Sequence, residues 1–263
     1  MVVEKLVSYD CMKKFLSKVW LNVCDLRRLV RNIKGIWKKI TANVYEFFAV
    51  TYLTLKVSLK YSQLKVPFQQ ILMLDTALKV SHKLEENCID YCLIGGSLLG
   101  AVRQKSFAGR PSDFDIAIKE RDWQKVLSLQ PEFLKLGLKT KDHTSIRLDK
   151  TKYGGLVHIW PKILRPKTRW GMIDIHVHAQ VGDLWRFKDS DPELDEVPKF
   201  QVLIDFPASS GIKLGHIFGY RFPIPVNAED YLVQAYGPNW RTPIGYKEHL
   251  AEHYILTGKP RKK

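Results

Sequence analysis

Apolar side chains in the first part of the chain fall at Met12, Leu16, Val19, Val23, Leu26, Val30, Ile33, Trp37, Ile40, Val44 and Phe47. The steps alternate four and three without a break, which predicts one stripe along a helix. Lys13, Lys14, Arg27, Arg28, Arg31, Lys34 and Lys38 fall on its other faces. The pattern then changes. Residues 68–87 repeat apolar positions at Ile71, Leu72, Leu74, Leu78 and Val80, which predicts a second helix. Tyr91–Ile94 is a short apolar run ending at Gly95-Gly96, the pattern of a buried strand. A helix from Ser97 to Arg103 follows, with Ser97 as the expected N-cap.

Beyond it the spacing predicts a strand over Phe114–Ile118 and a helix from about Arg121 to Leu129. Ser145–Leu148 and Leu156–Ile159 suggest a hairpin around Tyr153-Gly154-Gly155, and Met172–His178 a further strand. Ala228–Ala235 reads as a helix capped by Asn227. Helices and strands alternate with antiparallel pieces among them, so the expected class is α+β with a mixed sheet. The change of pattern divides the chain into residues 1–62, a basic amphipathic helical region, and 63–263, a sheet domain.

Composition sharpens this only in places. At 263 residues and 45% hydrophobic content the chain can bury one good core and belongs with folded proteins. The formal net charge of +15 favours anionic partners. Ten basic and three acidic side chains lie within the first 43 residues, so that helix suits packing on the sheet domain or lying on an anionic membrane through residues 1–55. Gly35 in its middle and few ion-pairing positions argue against a coiled coil. Ile40–Leu55 is the best candidate for a membrane span, but sixteen residues with Glu46 among them fall short of the roughly 20 required. No secretory signal is evident, because Lys13 and Lys14 interrupt the apolar run. Absence of an aromatic-rich basic motif argues against a nucleic-acid partner. Cys11, Cys24, Cys88 and Cys92 lack zinc-ligand spacing and read as buried thiols or, in an oxidising lumen, a disulfide.

Three stretches carry candidate chemistry. Leu93-Ile94-Gly95-Gly96-Ser97 turns a strand into a helix and exposes backbone N–H groups, the outline of a phosphate cradle and also a common structural turn. Asp113-Phe114-Asp115 sets two carboxylates on one face of a strand, where they repel unless a cation lies between them. Mg2+ or Mn2+ favours such oxygen ligands and keeps room for substrate phosphates; the bland alternative is two solvated acids at a strand edge. Met172–His178 alternates apolar residues with Asp174, His176 and His178, so Asp174 can complete a three-carboxylate site. The His-x-His pair alone is more often a polar strand face than a zinc site.

In this order the three stretches resemble the nucleotidyltransferase fold typified by DNA polymerase β. The run Gly95-Gly96-Ser97-Leu98-Leu99-Gly100-Ala101-Val102-Arg103, with fifteen residues separating Ser97 from Asp113, is similar to the LicD and fukutin family. Phe222-Pro223-Ile224-Pro225-Val226-Asn227, then Tyr236-Gly237, Trp240 and Pro243, is similar to that family's closing motif. The resemblance covers roughly residues 90–245 with gaps. It implies a metal-dependent enzyme that moves a phosphorylated alcohol, such as phosphocholine or ribitol phosphate, from a CDP-activated donor to a glycan or glycolipid. It implies Asp113, Asp115 and Asp174 as catalytic metal ligands for Mg2+ or Mn2+. Gly95, Gly96 and Ser97 would hold the donor phosphates, Arg103 would neutralise the diphosphate, and Trp240 would stack the base. It further implies a membrane-associated setting, the Golgi in a eukaryotic cell or otherwise the cytoplasmic face of the membrane. One departure stands out: Ser112 occupies a position where the family commonly has another acid. Two alternatives stay open, a nucleotidyltransferase that moves a nucleoside monophosphate and a basic binding protein on a degenerate catalytic fold.

Overall fold

The computed structural model describes residues 41–61, 66, 68–108, 113–143, 155–164, 171–187, 202–207 and 213–244. The chain forms two compact units, Met1–Ala49 and Val50–Lys263. Most of the predicted N-terminal stripe, together with Tyr153, Gly154, Ser145–Leu148 and Ser112, lies outside the described residues. Residues 41–60 are helical (α1). Its far end belongs to the second unit, where Thr54 and Val57 are buried and Leu55 and Leu59 are exposed. No helix among the described residues is long and apolar enough to cross a membrane.

In the second unit α2 (Phe68–Glu86) leads into β1 (Tyr91–Leu93), α3 (Gly95–Arg103) and β2 (Phe114–Lys119). A 3-10 turn at Glu120–Asp122 opens α4 (Trp123–Ser128), and α5 (Gln130–Lys135) follows with a proline in its first turn. The helix expected from about Arg121 to Leu129 matches the 3-10 turn and α4, and α5 is additional. Pro131 explains the break, since it cannot donate an N–H to a continuing helix but fits the first turn of a new one. Then come β3 (Leu138–Asp142), β4 (Leu156–Pro161), β5 (Ile173–Val181), β6 (Leu184–Phe187), β7 (Leu214–Ile217), β8 (Tyr220–Pro223) and α6 (Ala228–Tyr236). The hairpin partner of β4 is β3, with Asp142 opposite Val157.

Six strands form a mixed sheet in the order β1-β2-β5-β4-β3, with β6 also paired to β5. β2 and β5 run parallel and their other pairings are antiparallel. The class is therefore the expected mixed α+β. β7 and β8 form a separate hairpin that packs on α3. Gly215 allows this approach, because a Cβ there would meet Ile224 Cγ2 at 2.8 Å and Ala101 Cβ at 3.0 Å.

Alternation along the central strands creates two unlike faces. Phe114, Ile116, Ile118, Ile173, Ile175, Val157 and Ile159 share one face by register and are all buried. Burial of each such side chain contributes about 1.5–3 kcal/mol relative to exposure. The opposite face carries Asp115, Asp174, His176 and His158. β2 lies between β1 and β5, so Asp115 sits on an interior strand and not on a solvated edge.

Several polar groups serve the fold. Asp75 of α2 is buried and accepts from Lys60, Tyr61 and Lys79, with Lys79 Nζ at 2.6 Å. Burial would raise its pKa, but the two lysines outweigh burial and hold the carboxyl below its ordinary range. Asn227 sits at the N-cap of α6 without capping it. Its side chain instead accepts from the Asp205 N–H and donates to the Leu203 carbonyl, at 3.0 and 2.9 Å. Cys88 and Cys92 are free thiols, the second buried, and burial pushes its thiol far above the usual range.

Candidate active site

The site begins where β1 turns into α3. Expectation put the helix start at Ser97, but α3 starts at Gly95 and its N-cap is Ile94. Gly95 has φ +55°, a left-handed conformation that favours glycine. A Cβ on Gly95 would also lie 2.9 Å from Asp115 Oδ2. Glycine is thus needed twice over, for its backbone angle and for the space the carboxylate occupies. A Cβ on Gly96 would meet nothing within 4 Å, so that side of the turn is open.

Two hydrogen bonds tie the turn to the acid. The Asp115 backbone N–H donates to Ser97 Oγ at 2.9 Å, and the Ile94 N–H donates to the Asp115 carbonyl at 3.3 Å. Ser97 is buried and acts here as a clamp on the strand. The Gly95 N–H donates to the Tyr231 hydroxyl at 3.2 Å, which brings α6 to the same point. Burial, joined by the negative charge of Asp115, pushes the Tyr231 phenol far above its usual pKa, so it stays neutral.

Across the sheet, His158 of β4, Asp174 of β5 and Asp115 of β2 stand side by side in register. His158 Nε2 lies 3.6 Å from Asp174 Oδ1, and His176 Nε2 lies 3.3 Å from Asp115 Oδ1. One ligand atom from each of Asp115, Asp174 and His176 falls within 4.8 Å of the other two. An octahedral ion with bonds of about 2.1 Å holds neighbouring donors about 3 Å apart and opposite donors about 4 Å apart. The three side chains therefore fit a divalent cation after small rotations. Two carboxylates at this spacing repel each other, and a dication removes that cost.

The remaining expected residues fall in different places. Asp113 is half-buried, stands just before β2 and lies outside this triad of ligand atoms. β2 begins at Phe114, one residue after Asp113. Arg103, at the far end of α3, donates to the Trp240 carbonyl at 3.2 Å and to Gln104 Oε1. Trp240 is 3% exposed, packs in the core, and carries the Arg241 guanidinium over its ring at 4.3 Å. His178 is buried, and its Nδ1–H donates to the His176 carbonyl at 3.1 Å. Burial pushes its pKa down to about 3, so it is neutral at ordinary pH.

Three site residues go beyond the expected set. His176 was legible from its place two residues after Asp174, and it points to the same face for that reason. His158 sits on an alternating strand, but its alignment with Asp174 depends on a β4–β5 register that the sequence does not display. Tyr231 is a core-spaced helical residue with no local signal of its contact with Gly95.

Residues 88–197 match the family model of the LicD/FKTN/FKRP nucleotidyltransferase domain. An uncharacterised protein of Rickettsia typhi is 30% identical over 145 residues, covering 52% of this chain and 47% of that protein. The chain thus spans about half the length of that curated relative. Among solved structures, the crystal structure of ANT(2″)-Ia in complex with adenylyl-2″-tobramycin covers 70% of this chain and 87% of that chain, at 15% identity and TM-score 0.37. The solution structure of the antibiotic-resistance factor ANT(2″)-Ia covers 70% and 80%, at 14% identity and TM-score 0.36.

Proposed function

We infer that this domain is a divalent-metal-dependent transferase that moves a phosphorylated alcohol from a CDP-activated donor to a glycan or glycolipid. The observation that carries the reading is the in-register pair Asp115–Asp174 on adjacent parallel strands, beside a Gly95 turn with no side chain between it and the acid. The match to a LicD/FKTN/FKRP nucleotidyltransferase domain over residues 88–197 supports a nucleotide-type donor.

In this reading Asp115 and Asp174 hold the metal, and Asp113, one residue before β2, is a further acid close to them in sequence. When bound, such an ion neutralises phosphate charge and lowers the pKa of a coordinated hydroxyl. The chain's own residues supply the frame. Ser97 holds the Asp115 backbone, Gly95 leaves room for its carboxylate, and the open side of Gly96 leaves space for donor phosphates. Arg103, whose guanidinium donates to the Trp240 carbonyl, would have to exchange that contact to meet the diphosphate. The setting is a membrane surface. Tyr52, Leu55 and Leu59 repeat at helical spacing along the part of α1 in the second unit and are exposed, and Lys56 is exposed beside them. Exposed aromatic and apolar residues with neighbouring lysines suit an anionic interface.

The test uses donors carrying separate labels on the nucleoside and on the alcohol phosphate, with Mg2+ or Mn2+ present. Transfer of the alcohol-phosphate label to a glycan or glycolipid acceptor, lost in Asp115→Asn and Asp174→Asn, is the expected result. Transfer of the nucleoside label would instead identify a nucleotidyltransferase. Turnover unchanged in the Asn variants would refute the assignment of the site.

A further inference from the structure

A ring nitrogen stands among the carboxylates of this site. His176 lies on the same strand and face as Asp174, with its Nε2 3.3 Å from Asp115 Oδ1. Its ring is held from the other side, edge-on to Phe187 at a centroid distance of 4.9 Å. Only 9% of the residue is exposed, so the imidazole keeps one orientation. A side chain placed merely to fill this space would not need to direct a ring nitrogen at a carboxylate. Beside Asp174, His158 Nε2 stands 3.6 Å from Oδ1, a second imidazole next to the carboxylate.

Donor chemistry then decides which ion the site prefers. Mg2+ binds hard oxygen donors, loses its water reluctantly and gains little from imidazole. Divalent transition metals accept nitrogen readily, and their affinities rise along the first row. We propose that His176 binds the metal directly, so that Asp115, Asp174 and His176 form a mixed carboxylate–imidazole centre that holds transition-metal dications more tightly than Mg2+, with Mn2+ as the spectroscopic probe of the class. This rests on the metal-dependent reading above and goes beyond it. In that reading the carboxylates alone hold the ion, and Mg2+ serves as well as Mn2+.

The experiment titrates Mn2+ and Mg2+ separately by calorimetry and records electron spin echoes of the Mn2+-loaded protein. The wild-type protein should show 14N coupling to Mn2+, and the coupling should survive in His158→Gln. His176→Gln should lose the coupling and bind Mn2+ roughly tenfold more weakly while Mg2+ affinity changes little. His176→Asp, an all-oxygen set, should narrow the ratio of Mn2+ to Mg2+ affinity. Circular dichroism of each variant checks that it is folded, and the wild-type echo needs no variant. Mn2+ bound without 14N coupling, or a coupling that persists in folded His176→Gln, would overturn the proposal while leaving the carboxylate site standing. Failure of the wild-type protein to bind any divalent ion would overturn both.

Discussion

Replacing Gly95 by Ala tests the link between backbone geometry and the acid beneath it. Two costs arise at this position. A non-glycine residue held at φ +55° loses about 1–2 kcal/mol relative to glycine. The new Cβ would also sit 2.9 Å from Asp115 Oδ2, a distance real contacts do not reach, so the carboxylate must rotate or the turn must shift. A forced rotamer adds of order 1 kcal/mol. The sum predicts destabilisation of about 2–3 kcal/mol in urea unfolding, with a lower midpoint and an unchanged slope. Because Asp115 is the group displaced, divalent-metal affinity measured by calorimetry should fall as well. Gly96→Ala is the control. Its Cβ meets nothing within 4 Å and its φ is not in the left-handed range, so stability should hold or rise by up to about 1 kcal/mol. Equal unfolding midpoints for the two variants, or full metal affinity in Gly95→Ala, would refute this reasoning.

Other consequences follow from the same contacts. Ser97→Ala leaves the partly buried Asp115 N–H without its acceptor and should cost about 1 kcal/mol in denaturant unfolding, with weaker metal binding in calorimetry. Tyr231→Phe removes the hydroxyl that accepts from Gly95, and thermal unfolding should show a loss of about 1 kcal/mol without loss of the α6 packing. Asp75 has a depressed folded-state pKa, so it contributes stability above its unfolded value near 4 that is lost as pH falls through the folded value. The fall in unfolding free energy of the wild-type protein below about pH 4 should therefore be shallower in Asp75→Asn. Replacing Tyr52, Leu55 and Leu59 by Ser should reduce sedimentation with phosphatidylserine vesicles, and added salt should weaken wild-type binding.

The parts of the molecule legible in the sequence are those whose signal is local. Helix α2, strands β1, β2 and β5, and helix α6 announce themselves by period and by their glycine and proline boundaries. Asp115 and Asp174 were legible because each sits alone between apolar residues of a buried strand. What escaped depends on pairing between distant segments. Short strands such as β6, β7 and β8 carry only four residues each, too few to establish a period. Ser97 has the composition of a helix cap, but tertiary contact with Asp115 claimed its hydroxyl, and Asn227 was likewise drawn away to residues 203–205. His158 and Tyr231 reached the site through sheet register and helix packing.

The central claim is that the Asp115–Asp174 face binds a metal and, through it, a CDP-activated donor. Calorimetric titration of a CDP-alcohol into the protein, with and without Mg2+ or Mn2+, tests that claim most directly. Affinity that appears only with the metal, and disappears in Asp115→Asn with its fold intact by circular dichroism, is the predicted result. Donor binding that is the same without metal, or unchanged in Asp115→Asn, would contradict it.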